Sequence, residues 1–288
     1  MTSILIKKFS FLNRTGFYYF IVFLLFDLLF NPVKAHEQRL GWLGHLGSAY
    51  PRLLRQGAAS YGPARLWRTK QYYALAIKHI PMLVQSGEIK DPAPMIAHSH
   101  AMVGFSYYYL FQSAEAMDHY LAAVKYKKDS AAYYFNLGLI YYNQMDFPSA
   151  IEYFHQAVKL SADQEIARQG RKFQILSYEA VGDYASILTL AGSAILGDKN
   201  ADHVFYYYYA GKASAKTGNY SGAVGLLEQC IKLAPWHADA YHELAFSFKR
   251  LNQPESAAQM TRQAVANQSA PQFRKYQDDV STQPLLFL

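Results

Sequence analysis

The sequence predicts an all-α protein in which helical hairpins stack into a solenoid, and three observations lead to this fold class. First, Ala131–Ser161 has apolar and aromatic residues at helical spacing on both sides of a turn at Gln144, Met145 and Asp146. Second, similar stretches recur along the chain in a frame of about 34 residues. Third, aromatic residues make up 16% of the 288 residues, with 25 Tyr and a single cysteine, so stability has to come from ring packing between helices.

The unit at residues 131–164 is the best defined. Pro148 opens its second helix, where the missing N–H of proline costs nothing. We expect Gly138 in the first helix to face Ala150 and Ala157 in the second, so that the two backbones approach closely. The unit resembles the tetratricopeptide repeat, although Ala162 stands where that family usually has a closing proline. The residues that carry the resemblance are Tyr134, Leu137, Gly138, Tyr141, Ala150, Phe154 and Ala157.

The same frame finds further copies on both sides of this unit. The copy at residues 168–201 is degenerate, because Ile175 stands where glycine is expected and Ile187 where alanine is expected. One hairpin cannot bury its own apolar face, so the neighbouring copies are required for stability. The resemblance implies a right-handed α-solenoid over residues 97–271. Its units are 97–130, 131–164, 168–201, 204–237 and 238–271.

The first 35 residues have the pattern of a secretory signal. Basic residues precede an apolar run at residues 17–30, and Val33-Lys34-Ala35 follows as a cleavage site. The run is short for a membrane span, which needs about 20 residues, and Asp27 interrupts it. The sequence therefore predicts a periplasmic or secreted protein. The alternative is an uncleaved membrane anchor that holds the repeats outside the cytoplasm.

The segments that flank the repeats are predicted to be helical as well. Residues 36–96 resemble a divergent repeat whose second helix is residues 72–85, and Asp91-Pro92 is a helix start. At the other end, residues 272–280 are expected to form a capping helix over the last apolar face, with residues 281–288 as a tail.

Charge and composition exclude several kinds of partner and cofactor. Residues 1–35 carry four cations and one acid, so their removal lowers the net charge from +7 to about +4, which is too little to indicate nucleic-acid binding. Cys230 occupies a helix-packing position and is expected to be a small buried residue. His242-Glu243 begins a zinc-protease motif that fails at Phe246, and no phosphate-binding loop occurs. The sequence therefore predicts a non-enzymatic protein with no cofactor and no metal.

The resemblance implies that the first helix of each unit lines a concave groove for a partner. At its exposed positions the early units carry aromatic residues, whereas the later units carry five cations against Glu179 and Asp239. This polarity suits an extended peptide with acidic groups toward one end. A carboxylate clamp of the kind found in part of the family is incomplete, because only Asn136 stands at a clamp position. The candidate partner-binding residues are Phe105, Tyr108, Tyr109, Phe135, Tyr142, Asn143, Lys172, Tyr208, Lys212, Lys216, His242, Lys249 and Arg250.

Three function classes follow from these observations. The leading one is an exported protein–protein interaction scaffold that binds a peptide or protein, within a bacterial envelope assembly. The alternative is a carbohydrate-associated component of polysaccharide export or cell-wall assembly, because exposed tyrosines also stack on sugar rings. The third is an enzyme with an unrecognised site in residues 36–96. Charge reversal in the groove should matter for a peptide and hardly at all for a neutral glycan.

Overall fold

Helical hairpins build the part of the chain that the computed structural model describes, namely residues 91–197 and 202–281 with isolated positions between 67 and 85. This part contains eleven α-helices and no strand, which confirms the predicted all-α solenoid. Each of five hairpins pairs a first helix with a second helix, and one helix follows the last hairpin. The helices are α1 (Ala93–Tyr109), α2 (Ser113–Tyr126), α3 (Ala131–Asn143), α4 (Phe147–Leu160), α5 (Gln164–Val181), α6 (Tyr184–Gly197), α7 (His203–Lys216), α8 (Tyr220–Leu233), α9 (Ala238–Arg250), α10 (Pro254–Asn267) and α11 (Pro271–Ser281).

The turn inside each hairpin has the same backbone geometry in all five units. One residue of each turn has a positive φ, between 59° and 86°, which is the left-handed conformation that ends a helix. Glycine adopts this conformation without strain, but two of the five positions hold large apolar side chains. The five turn residues are Phe111, Met145, Gly182, Gly218 and Asn252.

Short polar side chains start the second helix of the middle units. Asp146 accepts a hydrogen bond from the backbone N–H of Ser149 at 3.3 Å, and Asp183 does the same for Ser186 at 3.1 Å. Asn219 caps α8 in the same way. Each cap pairs a donor that the first helical turn leaves unsatisfied, so the sequence fixes where the second helix begins.

Within a hairpin, a glycine of the first helix packs against a large side chain of the second. A Cβ atom on Gly138 would lie 2.7 Å from the ring of Phe154, and one on Gly211 would lie 2.5 Å from Cγ of Leu227. Ala150 and Ala157 are fully buried on either side of Phe154, whose ring atoms are the ones nearest to the missing side chain of Gly138. The absence of a side chain on the glycine therefore leaves room for the large side chain of the second helix.

Ring contacts join neighbouring hairpins into one core. Phe154 of α4 stacks on Phe173 of α5 at 5.3 Å between ring centroids. Phe135 of α3 meets both rings edge-on, at 5.5 and 6.0 Å. Offset and edge-on pairs of this kind stabilise a contact beyond the area that they bury. This confirms that aromatic residues hold the repeats together.

The boundaries of the array and of its degenerate unit agree only in part with the boundaries expected from the sequence. α1 begins at Ala93, and Asp91 accepts a hydrogen bond from its N–H at 3.2 Å, as the helix-start pattern predicts. α5 begins at Gln164, four residues before the frame of the degenerate unit. The signal segment 1–35 and most of residues 36–96 lie outside the described residues, although the isolated positions between 67 and 85 are helical. Among the described helices, none has both the length and the apolarity needed to cross a membrane.

Candidate partner-binding groove

The thirteen candidate residues all lie on the first helices of the five hairpins, α1, α3, α5, α7 and α9. The structure buries four of them that we expected to be exposed, namely Phe105, Phe135, Lys172 and Tyr208. Phe105 is 2% exposed and Phe135 is 0% exposed, because their rings pack against other aromatic side chains. These two phenylalanines are therefore core residues and are not available to a partner. Asn136, at the clamp position, is buried too and donates a hydrogen bond to the hydroxyl of Tyr120 at 3.1 Å.

The aromatic end of the groove is held in place by contacts between hairpins. The hydroxyl of Tyr108 on α1 accepts a hydrogen bond from Nδ2 of Asn143 on α3 at 2.6 Å. Tyr142 contacts Phe147 and Phe173 edge-on, at 5.5 and 5.3 Å between centroids. Burial raises the pKa of both Tyr108 and Tyr142, so both are neutral donors near neutral pH. The two tyrosines are half-buried and still present part of each ring to solvent.

An ion pair links the next two hairpins. Lys212 of α7 pairs with Glu179 of α5, and its Nζ lies 5.8 Å from the centroid of the Tyr208 ring. Burial lowers the pKa of Lys212, but the hydrogen bond to Glu179 and the negative charges of Glu179, Glu243 and Asp239 together outweigh burial and raise it overall. Lys212 is therefore charged but already has a carboxylate partner.

Lys172 is even less available to a partner. Its Nζ donates to Oδ2 of Asp202 at 2.7 Å and lies 5.2 Å from the centroid of Phe205. The residue is only 9% exposed. The expectation that Lys172 faces a partner is therefore wrong for this structure, because a nearby carboxylate and neighbouring side chains cover it.

The remaining candidate cations differ in their exposure and in their hydrogen-bond partners. Lys216 and Lys249 are exposed, and so is His242. Arg250 donates from Nε to the hydroxyl of Tyr220 at 3.0 Å. Sequence reasoning missed Glu243, which lies close to Lys212 and Lys216. Burial raises the pKa of Glu243, while the two lysines lower it. The groove therefore has balanced charges, with an excess of cations only near Lys216 and Lys249.

The last helix, α11, lies on this same face and contacts hairpins far from it in sequence. Tyr276 packs on His237 at 4.9 Å between ring centroids, and Phe273 packs on the same imidazole at 5.5 Å. Gln277 lies close enough to Asp239, at the start of α9, to oppose the rise that burial causes in the pKa of its carboxyl group. Val280 reaches the core cluster that contains Phe205. The predicted helix is present, but its contacts reach the groove side of α5, α7 and α9.

The groove is therefore divided into two surfaces. The covered surface comprises Gln169, Lys172, Phe205, Tyr208 and Asp239, in the N-terminal halves of the first helices. The open strip runs along the C-terminal parts of the first helices and includes Glu243 from the middle of α9. It comprises Tyr108, Tyr142, Asn143, Glu179, Lys212, Lys216, Glu243 and Lys249.

The open strip and covered surface offer binding contacts and no recognisable catalytic centre. No group of three or more His, Cys, Asp or Glu side chains that could hold a metal ion is present within residues 91–197 and 202–281. Cys230 is fully buried, and burial raises its pKa to about 12, so it is an inert thiol at neutral pH.

Comparison with known proteins agrees with this architecture. Residues 131–163 match the tetratricopeptide repeat family. No curated protein matches the chain by sequence. The crystal structure of MamA is similar at 15% identity and a TM-score of 0.52, over 61% of this chain and 97% of MamA. MamA from Desulfovibrio magneticus RS-1 is similar at 14% identity and a TM-score of 0.52, over 63% of this chain and 97% of its own.

A third similar structure is that of YrrB, described as a TPR protein with an unusual peptide-binding site. Its identity is 15% and its TM-score 0.51, over 64% of this chain and 92% of YrrB. At this level of identity the similarity establishes the fold. The described hairpins form a solenoid of the tetratricopeptide type, and residues 131–163 form a tetratricopeptide repeat.

Proposed function

We propose that this protein is an exported, non-enzymatic interaction scaffold that binds a peptide or protein along the open strip, within a bacterial envelope assembly. The observation that carries the proposal is the arrangement of the strip itself. Its side chains are held by contacts between successive hairpins, Tyr108 with Asn143 and Glu179 with Lys212, and yet remain partly exposed.

Such an arrangement suits binding because it is ordered before a partner arrives. A partner that contacts a fixed tyrosine or a paired lysine does not have to immobilise that side chain, which would otherwise weaken binding by about 0.5–1.5 kcal/mol per side chain. Tyrosines also supply large contact areas with a polar end, and they are common at the centre of protein interfaces.

The distribution of charge indicates how the partner is oriented. Tyr108 and Tyr142 at one end favour apolar or aromatic side chains of the partner. Lys216 and Lys249 at the other end favour Asp, Glu or a free C-terminus, because exposed ammonium groups form charge-assisted hydrogen bonds with carboxylates. Lys212 contributes less, because Glu179 already neutralises it.

Two further observations support the proposal. YrrB, which has the same fold, is described as having a peptide-binding site. The basic start, apolar run and cleavage pattern of residues 1–35 favour export. N-terminal sequencing of the protein from its native host should find a mature chain that begins at His36. Recovery of the intact N-terminus in the membrane fraction would instead support the anchored form.

Partner capture in the native envelope, by crosslinking and mass spectrometry, tests the binding site. We expect the double variant Lys216→Glu, Lys249→Glu and the single variant Tyr142→Ala each to reduce capture of the same partner. The effect of the charge reversal should shrink as salt rises, since the range of electrostatic interactions is only about 10 Å at 0.1 M salt. The matched control is Lys159→Glu with Lys232→Glu, which reverses two exposed lysines on second helices.

The outcomes separate the candidate functions. Capture that both test variants leave unchanged, with the helical content intact by circular dichroism, would show that the open strip is not the binding site. Loss with Tyr142→Ala and no effect of the charge reversal would favour a neutral glycan over a peptide.

A further inference from the structure

α11 carries the side-chain pattern of a helix that binds in a groove. Phe273, Tyr276 and Val280 stand at positions i, i+3 and i+7, which places them on one face of the helix. All three are buried or half-buried, whereas Gln272, Lys275 and Asp278 are exposed. A helix of this kind docks through its apolar side chains at these positions.

The surface that receives α11 is built from three hairpins. Lys172 and Phe205 line one small cavity together with Asp279 and Val280 of α11. Farther along the helix, Gln277 lies beside Asp239, and Tyr276 packs on His237 at the junction of α8 and α9. The covered surface therefore offers apolar contacts along its length and a lysine near one end.

The fit between α11 and this surface is incomplete. The hydroxyl of Tyr276 and Nε2 of His237 are both buried, and neither has a hydrogen-bond partner within the described part of the chain. A buried polar atom without a partner loses its hydration and gains nothing in return, so it weakens the docked state. A ligand that offered a hydrogen-bond partner here would bind this surface better than α11 does.

We propose that the covered surface is a helix-binding site, that α11 is its resident occupant, and that the partner is an amphipathic helix that displaces α11. The partner helix carries aromatic residues at i and i+3, an aliphatic residue at i+7 and a carboxylate beside the last, next to Lys172, and it also carries a polar group that pairs with Nε2 of His237. The inference rests on the proposed function, in that it takes the concave side of the solenoid to bind a partner. The open strip then extends the same binding site.

A labelled peptide of residues 269–281 tests the inference on the full-length protein. In the wild-type chain the tethered α11 competes at an effective concentration of roughly millimolar, so we expect the peptide to bind weakly. The variant Tyr276→Ala, Val280→Asp should release α11 and leave the groove intact. Fluorescence anisotropy should then show the peptide binding this variant at least tenfold more tightly than it binds the wild type.

Two controls make the experiment specific. The variant Gln272→Ala, Lys275→Ala changes only the exposed side of α11, so it should bind the peptide no better than the wild type does. A peptide with the Tyr276→Ala and Val280→Asp changes should fail to bind any of the three chains. Hydrogen exchange of the amides of α11 reports whether the helix has left the groove.

Three results would overturn the inference. α11 amides that stay protected in the Tyr276→Ala, Val280→Asp variant would show that these side chains do not hold the helix. Released α11 without a gain in peptide affinity would show that the surface is not a helix-binding site. Equal binding of the normal and the changed peptide would show that the apolar pattern is not recognised. A partner captured through the open strip would still support the proposed function in each case.

Discussion

Gly138 of α3 lies directly against the ring of Phe154 of α4, and a Cβ atom on the glycine would be 2.7 Å from ring atoms Cδ1 and Cε1. The same relation holds for Gly104 with Tyr120 and for Gly211 with Leu227. In these three hairpins the large residue lies 16 positions after the glycine. This one contact therefore fixes the register of the first helix against the second. The glycine is needed for space, since its backbone is ordinary helix.

Gly138→Ala should therefore destabilise the protein, although alanine is the better helix former. Phe154 is fully buried and part of a ring cluster, so it cannot move away without disturbing Phe135 and Phe173. We expect a loss of about 1–3 kcal/mol in the free energy of unfolding, measured by urea denaturation.

The matched control for this change is Gly192→Ala or Gly225→Ala. A Cβ atom at either helical position would meet nothing within 4 Å. Alanine should stabilise the chain there by about 0.5–1 kcal/mol, because it removes the entropy cost of a helical glycine. Equal effects at Gly138 and at the control positions would contradict the assigned register.

The degenerate hairpin reverses the sizes of this contact. Ile175 on α5 occupies the glycine position, and Ala191 on α6 occupies the position of the large residue. Both are fully buried in one core cluster. This explains why the unit departs from the repeat pattern in sequence and still forms a hairpin: the volume has moved from the second helix to the first.

A double-mutant cycle tests this exchange. Ile175→Ala should cost about 2–5 kcal/mol, because it leaves a cavity, and Ala191→Ile should cost about 1–3 kcal/mol, because it overpacks the core. The double variant should cost at least about 1 kcal/mol less than the sum of the two. Ile175→Ala combined with Ala223→Ile, in a different core cluster, serves as the additive control. Additive behaviour of both pairs would show that Ile175 and Ala191 do not share one space.

The repeat period was sufficient to predict the fold, and the groove positions followed from it only in part. Spacing of small and aromatic residues gives the helices of each hairpin, because every unit has to pack against a similar neighbour. The repeat period does not determine whether a side chain at the edge of the groove is buried in the core or exposed to solvent. The sequence therefore predicts Phe105 and Phe135 in the groove, although both are buried.

The cover over Lys172 and Tyr208 could not be predicted from the period, because α11 lies outside the repeats and its contacts cross three units. The signal was nevertheless in the sequence. Phe273, Tyr276 and Val280 form an apolar stripe in an otherwise polar stretch, and a polar helix with one such stripe needs a surface to dock on. Which surface it takes depends on distances that only the folded chain provides.

Removal of an apolar side chain from the turn between α1 and α2 should stabilise the protein. Phe111 has φ 59° and is 95% exposed, so its ring packs on little while its backbone is strained. Glycine removes the strain of the left-handed conformation, which stabilises the folded chain by about 1–2 kcal/mol. Its greater backbone freedom in the unfolded chain destabilises the folded chain by about 0.5–1 kcal/mol. Phe111→Gly should therefore raise the melting temperature slightly. Gly182→Ala, at the corresponding turn with φ 77°, should lower it. A lower melting temperature for Phe111→Gly would show that the ring is held by contacts that outweigh the strain.

The last prediction concerns His237, which starts α9 as a buried N-terminal cap. Its Nδ1 accepts a hydrogen bond from the N–H of Ala240 at 3.2 Å, so that nitrogen has to be unprotonated. The ring is fully buried between Tyr208 and the aromatic residues of α11, and burial lowers its pKa from 6.5 to about 4. Asp202 acts in the opposite direction but does not offset burial.

The sign of the pH dependence follows from this. Below pH 6.5 the unfolded chain takes up a proton at His237 that the folded chain refuses, so the stabilisation is complete above pH 6.5 and is lost as the pH falls toward 4. The loss amounts to roughly 3 kcal/mol across that window. His237→Asn keeps a side-chain oxygen for the cap and removes the titration, so its urea-unfolding free energy should fall less steeply between pH 6.5 and 4. His100 and His119, whose pKa values burial also lowers, titrate in both chains, and the difference between the two curves therefore isolates His237. Parallel curves for the wild type and His237→Asn would show that His237 takes up its proton equally in the folded and unfolded chains.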